Sequence, residues 1–248
     1  MKFTKLLGAS LFSVMLMFNA TGAKAASFAD IAFVLDQSGS MGGEYNWLGS
    51  SISAIDTALS AGGVTANYGL AGYEEFAGNE PGAPAGSTYL DFTSNVGDIT
   101  TAVNNTNLYG GTERGYHAAD WARTGFSWTG GDYAKVIVLV TDEAADQNSG
   151  ITETQLGANM TAGGFLLNVI APQSRASEWD EAAYSTSDYL GFFDLGYLND
   201  DPEGFTNDFV NAKLQEIQDV TPVPAPATLA LLGIGLLGLG AVRRRQRA

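Results

Sequence analysis

The sequence predicts an α/β fold, a doubly wound and mostly parallel central sheet flanked by helices. Three observations carry that expectation. Two short runs, Ile31-Ala32-Phe33-Val34-Leu35 and Val136-Ile137-Val138-Leu139-Val140, are apolar throughout rather than alternating, the pattern of strands covered on both faces. Segments with a single apolar helical face lie between the strand candidates, as crossovers between parallel strands require. Both runs also lead straight into a carboxylate, Asp36 after the first and Asp142, one residue on, after the second. The carboxyl ends of the strands are where an open α/β sheet places its ligand.

Taken in order, the first strand delivers the chain into Asp36-Gln37-Ser38-Gly39-Ser40, followed by Gly42 and Gly43. Leu48, Ile52, Ile55 and Leu59 then recur at spacings of four, three and four, one face of a helix that Gly62-Gly63 ends. Residues 67 to 76 read as the next strand. A Gly-, Pro- and Ala-rich loop from 78 to 87 leads to a short strand around Tyr89 to Phe92 at one side of the sheet. A short helix is expected at 97 to 105. After Gly110-Gly111, Thr112 is placed at the N-cap of a helix running from 113 to about 126. The strand ending at Val140 meets Thr141-Asp142-Glu143. A helix from about 152 to 162, two glycines and a strand from 165 to 170 add another crossover unit. Residues 172 to 201, rich in aromatics and acids, fit either an inserted loop or a helix with an edge strand. A last helix spans 205 to 219, with Val210, Leu214 and Ile217 on one face.

Both ends look like addresses rather than fold. Residues 1 to 25 open with Lys2 and Lys5, continue through an apolar stretch and reach Ala23-Lys24-Ala25, the form of a cleavable secretory signal peptide; the stretch is shorter than the ~20 residues of a membrane span. At the other end Val223-Pro224-Ala225-Pro226-Ala227 opens an apolar run that closes on Arg243, Arg244, Arg245 and Arg247. This order of Pro-x-Pro, Gly- and Leu-rich segment and terminal arginines resembles the PEP-CTERM sorting signal of Gram-negative bacteria, with Ala225 standing where the name-giving motif has Glu. The resemblance implies recognition and removal of the tail (222–248) by an exosortase, transient contact with the membrane, and delivery to the envelope or extracellular matrix. A plain C-terminal anchor is the other reading.

Between the ends, residues 26 to 221 have the size of one domain and carry all 27 acidic residues against 5 basic ones, a formal −22. No basic patch exists to neutralise phosphates, which excludes a nucleic-acid partner. The absence of cysteine excludes thiolate zinc sites, cysteine nucleophiles and iron–sulfur clusters.

Asp36, Ser38, Ser40, Thr112 and Asp142 form one candidate metal site. Two carboxylates and three hydroxyls, without His or Cys, are hard oxygen ligands suited to Mg²⁺ first, or to Mn²⁺ or Ca²⁺. The Asp-x-Ser-x-Ser motif after strand one, the Gly-Gly-Thr loop and the strand-Thr-Asp sequence, in this order over roughly 29 to 219, resemble the von Willebrand factor type A (VWA) domain with its metal-ion-dependent adhesion site. In that family these five positions would hold the metal directly or through water, and a partner's acidic group commonly completes its coordination. Glu143 stands where many members have Gly. The alternative is that Ser38 and Ser40 cap the first helix and Asp142 a later one.

Enzyme patterns fit less well. A haloacid-dehalogenase-like phosphotransferase wants a second Asp where Ser38 stands. Ser38 also breaks a nucleophile elbow centred on Ser40, and the only histidine, His117, precedes Asp142, so the Ser, Asp, His order is missing. Asn199-Asp200-Asp201-Pro202-Glu203-Gly204 imitates the start of an EF-hand loop, but Val210 occupies the twelfth position. Gly233-Ile234-Gly235-Leu236-Leu237-Gly238 spells a dinucleotide fingerprint outside any βαβ unit. The expectation is a non-enzymatic, exported binding domain that captures an acidic group of a protein or anionic polysaccharide through a bound cation. A structural matrix or surface-layer component, with the metal serving only stability, is the alternative.

Overall fold

The computed structural model describes residues 27–73, 88–109, 114–145, 150–183 and 191–221. Its six-stranded sheet has the order β3-β2-β1-β4-β5-β6, with β1 (Ser27–Asp36) at the centre. The other strands are β2 (Val64–Tyr73), β3 (Tyr89–Thr93), β4 (Tyr133–Val140), β5 (Phe165–Ala171) and β6 (Phe192–Asp194). Every pairing is parallel except that of β3 with β2. The doubly wound, mostly parallel sheet expected from the apolar runs is therefore the architecture found. The last three residues of the expected 67–76 strand and the 78–87 loop lie outside the described residues.

Alternate strand residues face opposite sides of a sheet, and here each side carries a largely apolar buried layer. Ile31, Phe33 and Leu35 of β1 join Val136, Val138 and Val140 of β4 on one face. Ala32, Val34, Ile137 and Leu139 occupy the other. The first face is covered by α1 (Gly42–Ala61), α2 (Val96–Asn104), α5 (Leu195–Asp200) and α6 (Pro202–Val220). The second is covered by α3 (Gly115–Gly125) and α4 (Glu153–Gly163). The stripe Leu48, Ile52, Ile55 and Leu59 of α1 is fully buried, each side chain contributing roughly 1.5–3 kcal/mol. Such two-sided burial explains why the central strands carry no polar alternation.

Two expectations change, and one open alternative is decided. The helix after Gly110-Gly111 begins at Gly115, and its cap position falls at Arg114 rather than at the expected Thr112, with no side-chain cap bond from Arg114; a hydroxyl after two glycines does not by itself fix where a helix begins. The final helix starts at Pro202, where Pro suits the first turn and the Asp201 side chain accepts from the Gly204 N–H at 3.0 Å. That capping turn also disposes of the EF-hand imitation, because Asn199 and Asp200 still belong to α5 and Pro202 already opens α6, which leaves no 12-residue loop for a cation. Within 172–201 lie a 3₁₀ turn (Gln173–Glu178), the edge strand β6 and the short helix α5, the helix-with-edge-strand alternative.

The strand order fixes where a ligand would sit. From β1 the chain crosses through α1 to β2 on one side, and it returns past β1 to β4 on the other. The carboxyl ends of β1 and β4 therefore flank the point at which the winding reverses, the crevice that open α/β sheets use.

Candidate metal centre

Asp36 is the last residue of β1 and has no exposed surface. Its Oδ1 accepts the Ser38 backbone N–H at 2.7 Å and its Oδ2 accepts the Thr141 hydroxyl at 2.9 Å. Burial pushes the Asp36 carboxyl from 3.8 up to about 7; the Ser38 and Thr141 hydrogen bonds oppose the rise and the nearby Asp142 carboxylate adds to it. A buried carboxylate with a second one beside it is an electrostatic cost that a cation reverses.

Ser38 is buried and Ser40 is exposed, and their Oγ atoms lie 3.0 Å apart, hydrogen-bonded to each other. Neither caps α1, which begins at Gly42 behind Met41 without a side-chain cap bond. Asp142 caps no helix either, since Thr152 and Gln155 form the capping box of α4. The capping alternative for these residues is thereby removed.

The register of β1 against β4 pairs Leu35 with Val140, which sets Asp36 beside Thr141 and brings Asp142 to the same edge. Asp142 Oδ1 is buried and has no hydrogen-bond partner. Such an atom forfeits solvation without recompense, and one so placed among a second carboxylate and two clustered hydroxyls suits a hard divalent cation. Among the described residues no group of three or more His, Cys, Asp or Glu gathers to hold a metal, so a site here depends on hydroxyl oxygens as well as carboxylates.

Thr112, the fifth predicted ligand, lies outside the described residues. The chain leading to it is nevertheless anchored to the Asp36 loop. The Tyr109 N–H donates to Gln37 O at 2.8 Å, and Gln37 Nε2 donates to Asn107 O at 2.6 Å. Gln37 Oε1 also accepts the Thr88 N–H at 3.2 Å. Gly72 makes room for that side chain: a Cβ there would lie 2.1 Å from Gln37 Oε1.

Sequence reasoning missed Gln37 and Thr141 as positioning residues. Thr141 carried a signal, a hydroxyl between the strongest strand and its acid, and it now both holds Asp36 and accepts the Glu143 N–H at 3.0 Å. Gln37 carried none, because its partners are 51 and 70 residues away. His117 is a half-buried residue of α3. The 233–238 fingerprint lies outside the described residues.

The von Willebrand factor type A domain model matches residues 30–183, and the PEP-CTERM protein-sorting motif matches 222–245. That motif marks the chain for export to the cell surface of a Gram-negative bacterium. Among the described residues no helix is long and apolar enough to cross a membrane. None of the curated proteins matches the chain. Among solved structures, the chain is similar to proximal thread matrix protein 1 from the mussel byssus with a zinc-occupied MIDAS motif, at 18% identity and a TM-score of 0.57, over 77% of this chain and 47% of that one. It is similar also to the pilus adhesin SpaC from Lactobacillus rhamnosus GG in an open conformation, at 14% identity and a TM-score of 0.55, over 79% of this chain and 31% of that one. The chain thus spans about half the length of the first and a third of the second, and identities this low establish the common fold alone. With the domain model covering more than half of the sequence and the sheet order placing Asp36 and Asp142 at the switch point, the chain belongs to the von Willebrand factor type A domain family.

Proposed function

We propose that this exported protein is a non-enzymatic binding domain that captures an acidic group of a protein or anionic polysaccharide through a divalent cation, Mg²⁺ first, held by Asp36, Ser38, Ser40, Thr112 and Asp142. The observation that carries the proposal is the buried, unpartnered Asp142 Oδ1 at the same strand edge as Asp36 and the paired Ser38 and Ser40 hydroxyls. The cation, when bound, supplies a positive centre with room for a further carboxylate. Thr141 and the Ser38 N–H fix the Asp36 carboxylate, and Ser38 and Ser40 present adjacent hydroxyl oxygens. Gln37 braces the loop that carries all of them. In this reading residues 1–25 are a signal peptide, 26–221 the binding domain and 222–248 a tail removed by an exosortase. The byssal matrix protein and the pilus adhesin that share the fold support a matrix or adhesive role.

The test is binding of the protein to an immobilised acidic peptide and to an immobilised carboxylated polysaccharide, with Mg²⁺ and with chelator. Asp36→Ala and Asp142→Ala are expected to abolish cation-dependent capture while the domain stays folded. Capture that survives in both variants refutes the proposal. Loss of stability on chelation, with no capture in either condition, favours a cation that serves the fold of a structural matrix component.

A further inference from the structure

On the sheet face covered by α6, three polar side chains meet inside the apolar layer. Asn168 points from β5 on the same side as Leu166 and Ile170, while Lys213 and Glu216 come from α6. Lys213 is 1% exposed and the other two are wholly buried. Lys213 Nζ donates to both Asn168 Oδ1 and Glu216 Oε2, and Asn168 Nδ2 donates to the same Oε2 at 3.2 Å. The rings of Phe193 and Phe209 wall the amine in, with centroids 5.3 Å and 5.8 Å from Nζ. Glu216 Oε1 has no hydrogen-bond partner.

As a packing device the trio is poor, because a buried ion pair seldom recovers its desolvation cost and this one leaves an oxygen unpaired. As a reacting set it is complete: an amine, a primary amide and a proton carrier are held in contact where water is excluded. Burial lowers the pKa of Lys213, with Glu216 opposing the fall, which favours the nucleophilic free amine. We propose that Lys213 and Asn168 join in an intramolecular isopeptide bond, with Glu216 carrying the protons, so that α6 is covalently fastened to β5.

The step balances without oxidant, reductant or cofactor. Glu216 takes one proton from the Lys213 ammonium, and the Nζ lone pair attacks Cγ of Asn168. A second Nζ proton passes through Glu216 to Nδ2, the Cγ–Nδ2 bond breaks, and ammonia departs. The products are a secondary amide between Nζ and Cγ, one ammonia and a neutral Glu216 carboxyl. Two buried charges disappear in the process, a driving force that an isolated ion pair lacks. The bond also gives an exported chain without cysteine a covalent staple.

Mass spectrometry of the purified full chain under denaturing conditions, intact and after proteolysis, is the test. The expected result is a deficit of one ammonia, no tryptic cleavage after Lys213, and a branched peptide that links the segments containing Asn168 and Lys213. Glu216→Gln and Lys213→Arg are expected to restore the full mass and the two linear peptides. Linear peptides that account for all of the wild-type protein overturn the proposal, as does an ammonia loss confined to a single linear peptide. A branched peptide that persists in Glu216→Gln overturns the role given to Glu216. The wild-type measurement decides the existence of the bond even where a variant fails to fold.

Discussion

Asp142→Ala is expected to change stability with opposite signs in chelator and in excess cation. Asp142 Oδ1 is buried without a partner, an arrangement that costs about 1–3 kcal/mol. Its charge also works against ionised Asp36. Removing it in chelator should leave the domain at least as stable as wild type, and by our reckoning about 1 kcal/mol more stable. With Mg²⁺ at a hundredfold excess over its dissociation constant, the wild type gains about 2.7 kcal/mol and a variant that no longer binds gains nothing. At about 2–4 °C per kcal/mol for a domain of this size, the wild-type midpoint should rise by roughly 5–10 °C. Thermal unfolding followed by circular dichroism, at one pH with chelator and with Mg²⁺, reads both quantities. An equal rise in wild type and variant, or a variant several degrees less stable in chelator, would refute the reasoning and make Asp142 a structural residue.

Further outcomes follow from single contacts. Ser40 is exposed and touches Ser38 through its hydroxyl, so Ser40→Ala should weaken cation binding about tenfold or more, as loss of a coordinating or supporting group does, with an unchanged unfolding midpoint in chelator; calorimetric titration of Mg²⁺ measures it, and an unaltered affinity removes Ser40 from the site. Gly72→Ala would drive a Cβ into Gln37 Oε1 and close to Tyr45 Oη, and it should cost about 1–3 kcal/mol in urea unfolding while loosening the segment at 107–109; a neutral effect would mean that Gln37 is free to move. The Tyr68 phenol is pushed up by burial and by Asp56, whose Oδ1 accepts a hydrogen bond from the phenol O–H at 3.1 Å. Because the folded pKa lies above the unfolded value of about 10, this stabilisation is whole below pH 10 and is lost as pH rises beyond it. Tyr68→Phe should lower stability by about 1 kcal/mol at pH 8 and flatten the alkaline decline; a decline as steep as that of wild type would assign it to other groups.

How far the sequence could be read depended on whether information was local. The runs ending at Leu35 and Val140 declare buried parallel strands because both their faces are covered, and the acids after them mark the strand edge. The α1 stripe is visible for the same reason. The start of α3 was misplaced because Thr112 is a favoured cap residue by type, whereas the backbone puts the cap position at Arg114, which gives no such signal. β6 is three residues long and recognisable only through its pairing with β5. The supports of the proposed metal centre were hidden where they are non-local: Gln37 acts through backbone groups of Thr88 and Asn107. Lys213 and Glu216 escaped notice because they flank Val210, Leu214 and Ile217 in a helix whose charged residues would ordinarily face water. Only the third dimension sets them against Asn168.

The central claim, that the Asp36 loop and the end of β4 hold a divalent cation open to a partner, is met most directly by anomalous scattering from crystals of the protein grown with Mn²⁺. The account predicts one strong peak bonded, directly or through water, to the side chains of Asp36, Ser38, Ser40, Thr112 and Asp142, with at least one coordination position taken by solvent or a foreign carboxylate. A saturating soak that leaves this edge of the sheet without metal, or that places the ion among other residues, would contradict it.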